Sequence, residues 1–296
     1  MNHFFPTTAA ALGVLLVSMS SLAAQSNQTW RVTAGFGHRA DAEIDHRGGD
    51  FNETRFGLSA THEIKINERW RLDPFLGYRF SSYDFSRANL WDDVHAARVT
   101  VLAQYALNEK WTLFGGPTVG FAAEDDADFG KAFTFGGAVG AIYKINERLA
   151  LGAGVGVTSE LEDNARVRPA IIVKWRINEH WSAESGYFEV AGSGGPGAEI
   201  RYHLNEKWTL AGGGQYHETR FRLDENGPVR DGVGEDTSLP VYVKAVWQAG
   251  QNVGIEAGVG VSLGGQLRVE DRRGHKISDE DYDPAPFAGV RAVFTF

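Results

Sequence analysis

The 296-residue chain has no cysteine, and beyond its first residues it has no long apolar run. Without cysteine, an exported protein has no disulfide bonds, no thiol nucleophile and no thiolate metal ligands. Without a run of about 18 apolar residues, no transmembrane helix is predicted. Positive charge is also scarce, because 29 basic residues stand against 38 acidic ones and the net charge is −9. This balance argues against a nucleic acid partner.

Residues 1–24 have the features of a secretory signal peptide. Residues 9–24 form an apolar stretch that ends in small residues, and either 21–23 or 22–24 fits a cleavage site. The residues ahead of this stretch lack the usual Lys or Arg, and the stretch is too short to span a membrane. We therefore expect an exported protein that forms one domain over residues 25–296. The short segment before the first strand argues against an N-terminal plug.

A five-residue phrase recurs along the chain and marks its turns. It reads Ile-Asn-Glu-Arg-Trp at 66–70, and variants of it stand at 107–111, 145–149, 177–181 and 204–208. Asn tolerates the left-handed backbone of a tight hairpin, so each copy predicts a short turn between antiparallel strands.

Tryptophan is concentrated beside these turns. Seven of the eight tryptophans lie at a strand end next to a turn or at the entry of the chain. They are Trp30, Trp70, Trp111, Trp175, Trp181, Trp208 and Trp247. Tryptophan collects at water–lipid boundaries, where the ring is half buried and the indole N–H stays hydrated. The placement predicts a barrel in a bilayer rather than a soluble β-sandwich.

Between the turns, apolar residues alternate with polar or small ones, which is typical of β-strands. About fourteen strands result, and twelve to sixteen are compatible with the pattern. They lie near 29–38, 54–66, 70–80, 95–107, 111–122, 132–145, 149–158, 166–177, 181–190, 198–204, 208–217, 238–247, 253–265 and 286–296. Their apolar faces end in Trp on the turn side and in Phe or Tyr on the other, which matches the apolar band of a membrane barrel. Longer charged loops are predicted at 39–53, 81–94, 123–131, 159–165, 191–197, 218–237 and 266–285.

The last residues of the chain, 290–296, alternate apolar side chains and end in Phe296. They are similar to the terminal strand by which bacterial outer-membrane β-barrel proteins are recognised for assembly. With the signal peptide, the alternation and the Trp placement, they make the whole mature chain resemble these proteins, in a porin-like form. The resemblance implies an all-β, transmembrane, antiparallel up-and-down β-barrel in the bacterial outer membrane. It also implies outer-membrane lipid, lipopolysaccharide and the barrel-assembly machinery as partners.

The strand face opposite the apolar one is expected to line the lumen, and it carries many charges. If the turns set the register, the opposed pairs are Lys65 with Arg71, Glu63 with Asp73, Lys174 with Glu184, and Lys244 with Glu256. The candidate lumen-lining residues are Arg31, Arg55, Glu63, Lys65, Arg71, Asp73, Arg79, Arg98, Arg168, Lys174, Glu184, Arg201, Lys244 and Glu256. Two interpretations stay open, which are a charged constriction that selects solutes and a salt-bridged wall that neutralises lumen charge.

Other strands present small residues to the inside and leave volume there. These residues are Gly116, Gly120, Gly136, Gly140, Gly152, Gly154, Gly156, Gly258 and Gly260. The volume either holds water, which makes a pore, or is filled by arginine side chains from other strands. Folding of the 218–237 or 266–285 loop into the mouth is a further alternative.

The predicted outer loops are acidic. The acidic residues are Glu124, Asp125, Asp126 and Asp128, then Glu160, Glu162 and Asp163, and finally Asp279, Glu280, Asp281 and Asp283. Hard cations such as Ca²⁺ and Mg²⁺ bind several carboxylates, so these loops are candidate divalent-cation sites. Solvated surface charge is the alternative, because no run has the spacing of a known calcium loop.

No set of residues has the spacing of a catalytic site. The nearest candidates are His217 with Glu218, His62 with Glu63, His203 with Glu199, and the carboxylate pair Glu63 and Asp73. None has a third group specified by spacing, so no enzyme and no cofactor are predicted. The sequence favours a passive pore for small hydrophilic solutes whose lumen charges set selectivity. A closed structural or surface-binding barrel is the alternative, and an outer-membrane enzyme is a weaker third.

Overall fold

A computed structural model describes residues 29–45, 48–87, 89–162, 165–190 and 193–296. The predicted signal peptide lies outside these residues. The strands are β1 Thr29–Glu43, β2 Asp50–Lys65, β3 Trp70–Phe85, β4 Val94–Ala106, β5 Trp111–Glu124, β6 Phe133–Asn146, β7 Leu149–Ser159, β8 Ala165–Arg176, β9 Trp181–Val190, β10 Ser193–His203, β11 Trp208–Gln215, β12 His217–Arg222, β13 Val233–Gln248, β14 Val253–Glu270, β15 Lys276–Tyr282 and β16 Ala285–Thr295. A short 3₁₀ helix, Phe129–Lys131, precedes β6.

The strands form one closed antiparallel barrel. β1 pairs with β2 on one side and with β16 on the other, which leaves no open edge. β11 and β12 are two parts of one barrel strand, since both pair with β13, and β15 and β16 both pair with β14 in the same way. The barrel therefore has fourteen strands, and the predicted up-and-down architecture is confirmed. No helix within the described residues is long and apolar enough to cross a bilayer.

The turns are built by asparagine, but not in the way the sequence suggested. The Asn67 side-chain oxygen accepts hydrogen bonds from the backbone N–H groups of Arg69 and Trp70, both at 2.9 Å. The same pair of bonds recurs at Asn108, Asn146, Asn178 and Asn205. Within the described residues, only Asp126 and Asp231 have positive φ among residues other than glycine. The predicted turns are right, but asparagine acts as a side-chain acceptor and not as a left-handed residue.

The exterior of the barrel is apolar. Large apolar side chains, such as those of Leu76, Val139 and Ile171, are exposed on alternate positions of successive strands. The indoles of six of the seven turn-side tryptophans are 38–44% exposed. Several lie against a tyrosine of the neighbouring strand, as Trp70 does against Tyr105 with tilted rings whose centroids are 4.7 Å apart. One end of the barrel thus carries a row of half-exposed aromatic rings.

At the other end, which we call the mouth, the strands run on through much of the sequence predicted to be loop. β12 and β13 pair through residues 217–222 and 233–238, and β14 and β15 pair through 265–270 and 276–282. The prediction of long loops at 218–237 and 266–285 is therefore wrong over much of their length. Their charged side chains looked like loop residues, but many of them are paired with one another.

A hydrophobic core fills the mouth, where a membrane barrel needs none. Twelve buried residues make up this mouth cluster: Ala42, Ile44, Phe51, Tyr83, Trp91, Val94, Phe221, Leu223, Leu267, Val269, Tyr282 and Ala285. Trp91, the one tryptophan away from the turns, lies edge-on to Phe221 with ring centroids 5.1 Å apart. Packing of this kind stabilises the strand extensions against one another.

The β12–β13 hairpin crosses the mouth. Arg222, at the end of β12, pairs in parallel with Ala123 of β5, which lies six strands away from β11 in the sheet order. The Arg222 guanidinium also donates to the carbonyl oxygens of Leu161, at 2.9 Å, and Lys131, at 3.1 Å. Both loops considered for folding into the mouth therefore contribute to it, since the 218–237 segment crosses it and the 266–285 segment adds four residues to the mouth cluster.

Candidate lumen site

The glycine-rich strands leave a cavity beneath the hairpin. It has a volume of about 570 Å³ and is lined by β1–β8, with further residues from β10, from β16 and from the hairpin at 218–220. Of the glycines predicted to line the interior, Gly116, Gly120, Gly154 and Gly156 border this cavity. Other glycines of the predicted set are covered by side chains of neighbouring strands, but not by the arginines that the sequence suggested.

On the β14 side, the lumen is filled. An added Cβ at Gly260 would lie 2.6 Å from the Phe287 ring, and one at Gly258 would lie 3.1 Å from Lys244. These glycines are required because large side chains lie flat across them. Tyr242 and Phe287 form a small buried core there.

Near the turns, the lumen charges form ion pairs. Lys65 is opposite Arg71, as the turn register predicts. Arg71 bridges Glu63, at 3.4 Å, and Asp73, at 3.2 Å. Asp73 also accepts a hydrogen bond from the Gln104 amide at 2.7 Å. The carboxylates considered as a catalytic pair are thus both held by one guanidinium.

Three further predicted residues lie on other strands of the wall. Lys174 is opposite Glu184, in agreement with the predicted register. Arg31 is exposed and pairs in register with Thr61 of β2.

A second group of charges surrounds Glu199, a buried residue that was not among the predicted lumen-lining residues. Its carboxylate lies 2.8 Å from the Lys244 ammonium and accepts a hydrogen bond from the Tyr242 hydroxyl at 3.0 Å. Arg201 bridges Glu199 and Glu184. The alternation of β10 identified Arg201 and would have identified Glu199 by the same signal.

One predicted register is wrong. Lys244 is opposite Gly258 and not opposite Glu256. The turn here closes through a hydrogen bond from Ala249 N–H to the Val253 carbonyl, which shifts the pairing relative to the expected hairpin. Lys244 still reaches Glu256 diagonally at 3.1 Å, and Arg291 binds the same carboxylate at 2.7 Å.

A buried ion network joins the hairpin to the barrel wall. Asp236 of β13 is fully buried and lies 3.0 Å from the Arg39 guanidinium and 3.8 Å from that of Arg55. Glu53, also buried, binds both arginines. Two carboxylates and two guanidinium groups make the network neutral. The sequence pointed only to Arg55, because the other three residues lie in segments predicted to be loop.

Hydroxyl groups complete the network. The Tyr83 and Tyr282 hydroxyls donate to Asp236 at 3.2 Å and 2.9 Å. The buried His217 ring lies beside it, and its Nε2 accepts from Arg55 and lies near the Thr219 hydroxyl, both at 3.2 Å. Because arginine can only donate, this nitrogen carries no proton.

Three predicted arginines border the cavity. Arg79 donates to the Thr219 hydroxyl of the hairpin at 2.8 Å. Arg168 binds Glu218 of the hairpin at 2.9 Å. Arg98 is opposite Gly77 on the neighbouring strand. The structure therefore places Arg79 and Arg168 next to the hairpin, and Arg98 lines the same cavity.

The histidines considered for catalysis have different structural roles. His217 and Glu218 point in opposite directions, the first to Arg55 and the second to Arg168. His203 is hydrogen-bonded to the hydroxyls of Ser182, at 3.2 Å, and Thr209, at 3.0 Å. His62 stacks on Trp30 on the exterior, with ring centroids 4.0 Å apart. No pair of these residues is arranged as a nucleophile and its base.

Many of the acidic loop residues have hydrogen-bond or ion-pair partners within the protein. Glu124 accepts hydrogen bonds from the backbone N–H groups of Asp92 and Asp224, at 2.7 and 2.8 Å. Asp128 and Asp231 approach one another, together with Glu225, at the rim of the mouth. The Lys131 ammonium lies 3.1 Å from Asp128 and 2.9 Å from Asp231, and it lowers the pKa of the Asp128 carboxyl. A lysine ammonium thus contacts two of the three carboxylates.

Other acidic residues of the predicted loops bind arginine. Glu160 binds Arg166, Glu162 binds Arg222, and Asp279 binds Arg268 at 3.2 Å. Asp163 lies outside the described residues.

Solved structures of similar shape are outer-membrane barrels. An outer membrane channel from Pseudomonas putida F1 is 14% identical, with a TM-score of 0.50, and the alignment covers 91% of this chain and 95% of that one. A FadL homologue from Pseudomonas aeruginosa is 12% identical over 90% of both chains, with a TM-score of 0.49. The toluene transporter TodX from P. putida is 11% identical over 94% of this chain and 92% of that one, with a TM-score of 0.48.

At these identities the likeness concerns the fold alone, and only the first structure reaches a TM-score of 0.50. The resemblance to bacterial outer-membrane β-barrel proteins is confirmed at that level. No curated protein sequence matches the chain. A family model described as "Domain of unknown function (DUF6268)" matches residues 67–291, which is most of the barrel. The chain belongs to this family.

Proposed function

We propose that the protein is exported by the signal peptide 1–24 and inserts residues 25–296 into the bacterial outer membrane. The apolar exterior and the row of half-exposed indoles at one end support this location. Outer-membrane lipid and lipopolysaccharide would surround the exterior. The barrel-assembly machinery would recognise the final strand, which ends at Phe296.

The function that the geometry supports best is a channel for small hydrophilic solutes that opens when the β12–β13 hairpin moves. One observation carries it, which is the cavity of about 570 Å³ that lies between the hairpin and a charged barrel wall. A barrel with a purely structural role would be more stable if side chains filled this space, because a cavity lowers the free energy of unfolding. Passage is passive and involves no catalysis and no cofactor.

Lumen charge would decide which ions pass. The cavity is bordered by more arginines than carboxylates, so we expect anions to permeate more readily than cations. The test is a planar-bilayer recording of the refolded full chain under a KCl gradient. We expect discrete steps with a reversal potential that favours Cl⁻, and a shift towards K⁺ in Arg98→Gln. Arg69→Gln, on an exposed turn, is the matched control and should leave the reversal potential unchanged.

A closed structural or surface-binding barrel is the second candidate. The mouth cluster and the neutral ion network favour it, because both stabilise a closed mouth. The same recording separates the two functions. A correctly inserted barrel that stays silent at all voltages would exclude the channel and leave this alternative.

A further inference from the structure

One seam of the barrel wall is paired over only part of its length. In the part of the chain that the structure describes, β8 pairs with β9 only through 174–176 and 182–184, next to the turn. Both strands run on beyond these pairs. β8 pairs with β7 as far as Ala165, and β9 pairs with β10 as far as Val190. We call residues 165–173 of β8 the seam edge.

The direction of the backbone groups of β8 follows from three hydrogen bonds. The Val173 N–H donates to the Ser185 hydroxyl at 2.9 Å, and that hydroxyl donates to the Ile171 carbonyl at 2.8 Å. The Arg176 N–H donates instead to the carbonyl of Arg148, which directly precedes β7. In an antiparallel ladder, the N–H and C=O of one residue point to the same neighbour, and successive residues alternate. The odd-numbered residues of the seam edge therefore point their backbone groups towards β9.

A proline accounts for the end of the ladder. Pro169 lies at one of these odd-numbered positions, and it has no N–H to donate to β9. Proline within a sheet is confined to edges for this reason. The Ile171 N–H, on the same edge, points in the same direction. The sequence thus gives β8 one paired side and one side that is built as an edge.

The seam edge lies at the depth of the hydrocarbon. The exterior side chains of Val167 and Ile171 are 62% and 75% exposed, and Trp175 marks the end of the strand next to the turn. Backbone N–H and C=O groups without partners are costly at this depth. Pro169 also borders the cavity beneath the hairpin, so the seam edge lies between the cavity and the exterior.

The Ser185 hydroxyl indicates which chemical group fits the seam edge. It accepts from one N–H and donates to a carbonyl two residues away on the same strand. The Ile171 N–H and the Pro169 carbonyl form the next pair of this kind along the edge. A hydroxyl group can bind both, because it donates as well as accepts. An ionised carboxylate cannot donate, and a hydrocarbon can do neither.

We infer that the seam edge binds an amphipathic alcohol. Its hydroxyl accepts from the Ile171 N–H and donates to the Pro169 carbonyl. Its apolar body lies against the exposed side chains of Ile171 and Val167. The hydroxyl supplies hydrogen bonds that lipid chains cannot supply. The inference goes beyond the proposed channel, because the seam edge lies in the wall and its ligand needs no movement of the hairpin.

Photolabelling of the refolded full chain in phospholipid vesicles tests the site. The probe is a diazirine derivative of octanol, and the readout is mass spectrometry of the β8 peptides. The methyl ether of the same probe keeps the chain and the acceptor oxygen but cannot donate. We expect the ether to label the seam edge about fivefold less than the alcohol, since one hydrogen bond is lost.

Proline substitutions along the edge test the backbone groups themselves. Ile171→Pro removes the N–H that the alcohol needs and keeps the pairing with β7, because this N–H points away from β7. It should lower alcohol labelling about fivefold. Val167→Pro is the matched control, since it removes an N–H on the same edge outside the Ile171 and Pro169 pair, and it should leave the labelling unchanged. Ser185→Ala frees a second N–H and C=O pair, at Val173 and Ile171, and should raise the labelling.

Equal labelling by the alcohol and its ether overturns the site, and so does equal alcohol labelling of Ile171→Pro and Val167→Pro. Either result would mean that the probe only contacts the wall as a lipid chain does. Unchanged labelling in Ser185→Ala also overturns it, and this variant decides the question if the proline variants fail to fold. The readout needs no conductance, so the site and the channel can fail separately.

Discussion

Replacing Asp236 with asparagine should release the hairpin and open the mouth. Asp236 is the one hairpin carboxylate that contacts Arg39 and Arg55 in the buried network, and it also accepts from Tyr83 and Tyr282. Asparagine keeps the size but removes the charge. The two guanidinium groups are then left with Glu53 alone, and a net positive charge remains buried.

The size of the effect follows from burial. Removing one partner of a buried ion pair costs about 3–5 kcal/mol, because the charge left behind is uncompensated. Each ~1.4 kcal/mol is a factor of ten in an equilibrium constant. The ratio of closed to open hairpin should therefore fall by roughly a hundred- to several-thousand-fold. This loss of free energy destabilises mainly the closed state of the mouth, since Asp236 lies on the hairpin and not on the exterior wall.

The assay is single-channel recording in planar bilayers at fixed voltage, with open probability as the readout. Asp281→Asn is the matched control, because Asp281 is exposed on β15 and its carboxylate accepts a 3.1 Å hydrogen bond from the neutral Gln266 amide. Arg39→Gln in the Asp236→Asn background should restore charge balance and lower the open probability again. Equal open probabilities for the Asp236 and Asp281 variants, with both barrels folded by circular dichroism, would refute the reasoning.

Three other predictions concern the mouth, the turns and the membrane. Phe221→Ala truncates a fully buried ring and should cost about 3–5 kcal/mol, seen as faster trypsin cleavage of the hairpin, and unchanged cleavage would contradict the mouth cluster. Asn205→Ala removes two backbone hydrogen bonds and should lower the free energy of unfolding in urea by about 1–2 kcal/mol, whereas Asn205→Asp keeps the acceptor and should lose less. In vesicles of brominated lipid, the fluorescence of a variant that retains only Trp111 should be strongly quenched. The fluorescence of a variant that retains only Trp91 should not be, because Trp91 is buried in the mouth. Equal quenching of the two variants would contradict the assigned exterior.

The barrel could be predicted because the residue pattern of each strand indicates the surroundings of that strand. Alternation is local, and a single exposed position such as Ile171 or Val139 indicates the face on which it lies. Register could be predicted wherever a turn of known length fixed it, as at Lys65 and Arg71. It failed at Lys244, where the turn has the same length as the other copies but begins one residue later than its divergent sequence suggested.

The closure of the mouth could not be predicted, because its partners are distant in sequence. Arg39 and Asp236 meet across 197 residues, and nothing local to either marks the other. Both lie in charged segments that alternation alone assigns to solvent. Trp91 gave the one available signal, since it was the tryptophan that did not stand beside a turn, and it marks the core that closes the mouth. Sequence reasoning thus identified the wall of the site and missed its cover.

A reversible lock on the hairpin tests the central claim most directly, and a chain without cysteine is well suited to it. Ala123 and Arg222 pair directly between β5 and the tip of β12, so the double variant Ala123→Cys, Arg222→Cys can join hairpin to wall. We predict a silent barrel in oxidant, discrete conductance steps once reductant is added, and no redox dependence in either single variant. Equal conductance in both states, with the disulfide verified by mass spectrometry, would contradict a hairpin that closes the channel.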